Sequence, residues 1–177
     1  MMQPKLSRAT FAGGCFWCMV APFENLAGVK SVVSGYAGGT AQDATYEQVS
    51  TGDTAHIEAV QITYDPSKTT YDELLDAFWR GIDPTDAQGQ FADRGKQYKS
   101  AIYYANDEEK KAAEASKKKL SASGMFDKPI ATKIIPFKTF FPAEDYHQDY
   151  HKKNPIRYKM YRMGSGRDAF LKETWTK

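Results

Sequence analysis

Apolar and polar residues follow two rhythms along this chain, one close to two residues and one close to the turn of a helix. Ala9 to Ala12 reads as a short strand halted by Gly13-Gly14, and Val29 to Tyr36 as a second strand ending at Gly35 and the Gly38-Gly39 turn. From His56 to Tyr64, apolar residues at Ile57, at Ala59 or Val60, and at Ile62 fit a third strand, which Asp65-Pro66 breaks. Leu74, Leu75, Phe78, Trp79 and Ile82 have the spacing of one face of an amphipathic helix over 71–82. Lys99 to Tyr104 is a further strand, Asp107 to Ser121 a charged helix, and Ala131 to Phe137 a last short strand. Cys15 to Leu26 reads as helical, with Pro22 at a kink or terminus, and Thr45 to Val49 as a short helix. The order β-α-β-β-α-β predicts an α/β class, specifically an α+β two-layer sandwich with a ferredoxin-like split βαβ core and helices on one sheet face. A helical and coil part around Pro142, Pro155 and Gly164 extends it at the C-terminal end.

Composition narrows the picture. A chain of 177 residues is expected to form one domain, 1–177, and can bury roughly 70% of its unfolded surface without a metal or disulfide staple. Hydrophobic residues at 41% and aromatics at 14% favour a packed core. With 24 basic against 22 acidic residues, the net charge of +2 gives no electrostatic reason to expect nucleic acid or an anionic membrane. No apolar run approaches a membrane span, and Met1 to Thr10 is too polar for a signal peptide, so a cytoplasmic protein is expected. Nothing demands more than a monomer. Two cysteines in such a chain are better candidates for thiol chemistry than for a structural disulfide.

Both cysteines lie in Gly13-Gly14-Cys15-Phe16-Trp17-Cys18, where a strand passes into a predicted helix. The glycines allow a tight turn that leaves Cys15 at the first helical turn, where free N–H groups and the helix dipole favour a thiolate. Three residues along a helix, Cα atoms are about 5 Å apart. That falls within the roughly 4.4–6.8 Å window of a disulfide, so Cys15 and Cys18 can exchange between dithiol and disulfide. Three other readings stay open. The pair can pack as small hydrophobes, serve a general CxxC thiol-disulfide oxidoreductase, or join His147 and His151 in a zinc-stabilised binding module.

Gly14-Cys15-Phe16-Trp17 resembles the active-site signature of type A peptide methionine sulfoxide reductases. The likeness continues, in the family's order, through Gly35-Tyr36-Ala37-Gly38-Gly39, Tyr46-Glu47-Gln48-Val49 and Gly52 to Val60. Asp65-Pro66, Phe78-Trp79, Asp83-Pro84-Thr85, Asp93-Arg94-Gly95, Gln97 to Tyr103 and Tyr146-His147-Gln148 carry it over a catalytic core of about 9–155. The resemblance implies that Cys15 is the nucleophile, that Phe16 and Trp17 hold the substrate's S-methyl group, and that Glu58, Tyr46 and Tyr98 engage the sulfoxide oxygen. It also implies a supporting place for Asp93 beside the substrate. The implied substrate is the S epimer of methionine sulfoxide, free or in oxidised proteins and peptides, with thioredoxin or another dithiol as external reductant.

These residue types suit that chemistry. A sulfoxide sulfur is a poor electrophile until its oxygen is hydrogen-bonded or protonated, and Tyr46 and Tyr98 can each supply an O–H. Glu58 can help only if it carries a proton. Its neighbours Ile57, Ala59 and Val60 suggest burial, which favours the neutral acid, so Glu58 is expected to be protonated at rest and to act as general acid. Attack leaves Cys15 as a sulfenic acid, which condenses readily with a nearby thiol. Cys18 is the only other cysteine, so an intramolecular resolving step uses Cys18 or does not occur. No bound metal, flavin or nicotinamide is needed. Three departures from the family pattern stand out: a tail from Lys159 to Lys177 without cysteines, Ala55 where glycine is usual, and Arg94 where histidine is common. His147 is assigned no catalytic role, and the basic run Lys152, Lys153, Arg157, Lys159 and Arg162 is expected to be a solvated face.

Overall fold

The computed structural model describes residues 2–176. Among the described residues, eight strands are formed: β1 (Ser7–Ala12), β2 (Val29–Ala37), β3 (Ile57–Tyr64), β4 (Gly89–Gln90), β5 (Asp93–Arg94), β6 (Ala101–Tyr104), β7 (Lys133–Pro136) and β8 (Phe140–Pro142). Between and after them run α1 (Ala21–Glu24), α2 (Tyr46–Val49), α3 (Tyr71–Trp79), α4 (Asp107–Ala122), α5 (Tyr150–Lys153), α6 (Pro155–Gly164) and α7 (Arg167–Trp175). The main sheet has the order β7-β6-β1-β3-β2-β8. Among its inner strands β6, β1, β3 and β2, each neighbouring pair is antiparallel. This is the split βαβ order expected from the sequence.

Side-chain alternation explains where the core lies. Phe11 pairs with Val60 and Ala9 with Ile62, placing these buried residues on one face. Against that face pack Leu74, Leu75, Phe78 and Trp79 of α3, whose start is fixed by a capping box. There Glu73 N–H donates to Thr70 Oγ1 at 3.1 Å, and Thr70 N–H donates to Glu73 Oε2 at 2.7 Å. Phe11 stacks between Phe23 and Phe78 at centroid distances of 5.4 and 5.1 Å. Because β3 alternates with a period of two, Glu58 shares the face of Val60, Ile62 and Tyr64. A carboxyl group is thereby carried to the core side of the sheet.

The structure differs from the sequence reading in three places, one of them the short ladder of β4 with β5 through Gly89↔Arg94 and Gln90↔Asp93. Residues 15–26 do not form one helix. Phe16–Cys18 is a 3-10 turn and α1 follows as a single turn, because Pro22 removes a backbone donor inside the expected helix. Strand β8, absent from the sequence reading, pairs with the edge of β2 through Gly35↔Pro142, Tyr36↔Phe141 and Ala37↔Phe140. Among the described residues, no helix is long and apolar enough to cross a membrane.

Candidate active site

The site is built at the end of β1. Gly14 has φ +85, and a Cβ there would lie 2.5 Å from Gln90 Cβ, so the turn out of the strand accepts only glycine. Cys15 follows at the cap of the 3-10 turn, and Cys18 N–H donates to Cys15 O at 3.1 Å. Residues three apart in a 3-10 turn eclipse one another, and the Cys15 and Cys18 thiols lie close enough to shift each other's titration. Both are enclosed, with 6% of Cys15 and 1% of Cys18 exposed.

Glu58 closes the other side. Its Oε1 accepts the Phe16 N–H at 3.1 Å, and only 2% of the residue is exposed. Burial pushes the Glu58 carboxyl up to about 8 against the opposing pull of the Phe16 bond, with the Asp93 and Cys18 charges adding to the rise. The Tyr46 and Tyr98 hydroxyls, from α2 and from the 3-10 turn Lys96–Tyr98, are each raised by burial and by the nearby Glu58 charge. Both remain O–H donors, and both feel Cys15 as well.

The expectation for Cys15 itself is corrected. A three-residue 3-10 turn supplies no long helix dipole. Burial, the hydrogen bond with Cys18 and the adjacent Glu58 charge instead hold Cys15 well above the usual thiol range. Cys18 is the more acidic thiol. The hydrogen bond from Cys15 outweighs burial, the Arg167 and Arg162 charges add to it, and Cys18 is drawn down to about 7.

An aromatic wall stands beside the thiols. Trp17 is partly exposed and stacks on Tyr150 at 3.8 Å with a 7° interplanar angle. It meets Tyr161 edge-on at 6.0 Å, and its Nε1–H donates to His147 Nδ1 at 3.0 Å. Phe16 is fully buried, 4.9 Å from the His147 ring and 5.8 Å from Tyr36. Asp93 on β5 accepts the Tyr161 hydroxyl. All eight residues expected from the sequence therefore gather around the Gly13–Cys18 turn, with Asp93 engaged through Tyr161.

Several contributors escaped the sequence reading. His147 orients Trp17; burial holds it below the usual histidine range, and Nδ1 serves as the acceptor. Glu144 accepts the Tyr36 hydroxyl at 2.8 Å and the Tyr46 N–H at 3.1 Å, fixing the start of α2. Arg162 is not on a solvated face. Its Nη1 donates to Cys18 O at 3.4 Å and its Nε pairs with Asp168. Tyr161 and Arg167 come from α6 and α7, beyond residue 155. Arg94 is exposed and held in an ion pair with Asp86. The histidines proposed for zinc are engaged elsewhere, His147 with Trp17 and His151 with Glu24 at 2.7 Å. Among the described residues, no group of three or more His, Cys, Asp or Glu is placed to hold an ion.

Comparison with known proteins gives a consistent result. The family model for peptide methionine sulfoxide reductase matches residues 7–177. A Bacillus licheniformis protein described as peptide methionine sulfoxide reductase MsrA is 56% identical over 174 residues, 98% of this chain and 96% of its own. Reduced Mxr1 from Saccharomyces cerevisiae superposes with a TM-score of 0.79 at 34% identity, covering 85% of this chain and 87% of that one. Mxr1 in complex with Trx2 gives a TM-score of 0.57 at 25% identity, covering 85% and 90%.

Proposed function

The chain belongs to the peptide methionine sulfoxide reductase family, and from that membership we propose how its own residues reduce a methionine sulfoxide. The S epimer enters with its methyl group against Phe16 and Trp17 and its oxygen toward Glu58, Tyr46 and Tyr98. Cys18, the more acidic of the pair and therefore the one present as thiolate, accepts the Cys15 proton as Cys15 sulfur attacks the sulfoxide sulfur. Glu58 donates its proton to the oxygen, while the two tyrosine hydroxyls hold the charge that develops there. The oxygen passes to Cys15 as a sulfenic acid and methionine leaves.

Cys18 then loses its proton again and attacks the Cys15 sulfur. The S–S bond forms, the S–O bond breaks, and hydroxide takes up a proton to leave as water. The two thiols supply both electrons of the turnover, so no bound cofactor is called for. Thioredoxin, or another dithiol, returns the disulfide to two thiols by exchange. The yeast relative solved in complex with Trx2 supports that choice of reductant. We infer also that the enzyme works as a cytoplasmic monomer on free methionine sulfoxide and on oxidised peptides or proteins.

The observation that carries this reading is the buried Glu58, bonded to the N–H of the residue after Cys15 and pushed up to about 8. A general thiol-disulfide oxidoreductase has no use for a proton donor there, nor for the Tyr46 and Tyr98 hydroxyls beside it. Steady-state assays with a thioredoxin system should show turnover of the S epimer, little with the R epimer, and no insulin-type disulfide reduction above background. Disulfide reduction that survives Glu58→Gln while sulfoxide turnover is absent would return the chain to the CxxC oxidoreductase reading.

A further inference from the structure

Arg167 is the largest fully buried side chain of the core, with 1% of its surface exposed. A guanidinium keeps its charge in a protein, and an enclosed charge is costly unless it is paired and hydrogen-bonded. Its hydrogen bonds are in place. Nη1 donates to Gly81 O at 2.7 Å and Nη2 to Gly13 O at 3.0 Å; Nη1 also approaches Met19 Sδ at 3.7 Å. The guanidinium carbon lies 4.7 Å from the Phe91 ring centroid. A counter-ion is not in place: among the described residues, no carboxylate stands within ion-pair distance of Arg167. Arg162, the other arginine beside the thiols, is paired with Asp168.

The contacts of Arg167 enclose one segment. Gly13 precedes the cysteine turn and Met19 follows it, so a single cation clasps both ends of the turn that carries Cys15 and Cys18. The groups facing Cys18 come from every neighbouring element. Cys15 faces it from its own turn, Tyr158, Tyr161 and Arg162 from α6, Arg167 from α7, Glu58 from β3 and Asp93 from β5. Glu58 and Asp93 oppose a negative charge on Cys18, and Arg162 is largely neutralised by Asp168. Arg167 is the one full positive charge in the set without its own anion.

We propose that Arg167 is a positioning residue for the reaction, the fixed cation that keeps Cys18 ready as the anion of the cysteine pair. It touches neither substrate nor Cys15. It acts through Cys18 twice, when Cys18 takes the Cys15 proton and when it closes the disulfide. The inference rests on the reading of Cys18 as the resolving cysteine. It adds that the reactivity of Cys18 is set from the far end of the chain, by α7.

The test isolates Cys18 in Cys15→Ser, which keeps a hydroxyl donor beside it, and follows thiolate ultraviolet absorbance against pH. In that background Arg167→Gln should move the half-titration upward by about one unit, a roughly ten-fold loss of thiolate on the acid side. Arg167→Lys, which retains the charge, should recover part of the shift. Phe91→Asp places a carboxylate against the guanidinium at a position whose φ of +57 suits aspartate better than phenylalanine. It should raise the half-titration with Arg167 still present, so the test does not depend on one variant folding. Unchanged half-titration in folded Arg167→Gln, or in Phe91→Asp, would overturn the proposal. Thiol counting on the wild-type protein after one turnover judges the underlying reading separately. If only one thiol is lost, Cys18 is not the resolving cysteine and the reading on which the proposal rests has failed. If both are lost while the titration is unmoved, the role of Arg167 alone is wrong.

Discussion

Replacing Glu58 by glutamine changes little in shape, since the amide keeps an oxygen to accept the Phe16 N–H but has no proton to give. With the carboxyl at about 8, roughly nine sites in ten carry that proton at pH 7, against about one in three hundred for a group left at 4.5. General acid catalysis is typically worth about 100- to 10,000-fold. Methionine release in a single turnover should therefore fall by at least about 100-fold in Glu58→Gln. In the wild type, the first step needs Cys18 deprotonated and Glu58 protonated. Its rate should rise with pH through about 7 and fall through about 8, as macroscopic values of a coupled site. Glu58→Gln should keep the acid limb and lose the alkaline one. An infrared carboxylic-acid band present at pH 6, lost toward pH 9.5 and absent from the variant would identify the group.

The same burial has a thermodynamic consequence. Between the ordinary value of 4.5 and about 8, native Glu58 holds a proton that the unfolded chain has released, so stability declines as pH rises through this window. Above it, the native state has lost on the order of 5 kcal/mol relative to its acid-side stability. Urea unfolding should find Glu58→Gln more stable than wild type at pH 8.5 and nearly equal at pH 5. Methionine release within about three-fold of wild type at every pH would refute the role of Glu58 as proton donor.

Three further outcomes follow from the geometry. Cys18→Ser should release about one methionine per chain more slowly than wild type, by roughly ten-fold, and leave a Cys15 sulfenic acid that dimedone captures. A disulfide-linked product, or no capture, would contradict it. Gly14→Ala forces a side chain into φ +85 and against Gln90, and should cost about 2 kcal/mol or more in urea unfolding. A change under about 0.5 kcal/mol would show that the turn relaxes. Tyr161→Phe keeps the edge-on contact with Trp17 and removes the hydroxyl that Asp93 accepts, and should lower kcat/KM by roughly ten-fold with stability little changed.

Strands β1, β2, β3, β6 and β7 and helices α3 and α4 were legible because burial on one face leaves a period in the sequence. Phe11, Val60 and Ile62 mark their strands, and Leu74, Leu75, Phe78 and Trp79 mark α3 with its Thr70–Glu73 cap. The thiols, Glu58 and the two tyrosines were legible through short matched segments. The elements lost were those that long-range packing decides. Phe140–Pro142 is three residues with a proline at its end, and becomes a strand only by pairing with the edge of β2. The helix over 15–26 was over-read because the polar-to-apolar pattern is blind to the 3-10 turn that the thiol pair adopts. Tyr161, Arg162 and Arg167 sit in a segment rich in basic and polar residues, the usual signature of a solvated helix. Their inward faces depend on how α6 and α7 fold back over the Gly13–Met19 turn. The resting charge of Cys15 was misjudged for a related reason: helix termini lower a thiol, but burial beside Glu58 raises it further.

The most direct test mixes fully reduced protein with excess S-epimer methionine sulfoxide, without reductant, and counts methionine released and thiols remaining. About one methionine per chain should be released and both thiols lost, because Cys15 takes the oxygen and Cys18 closes the disulfide. No methionine from folded protein, or methionine released with Cys18 still free, would contradict this mechanism.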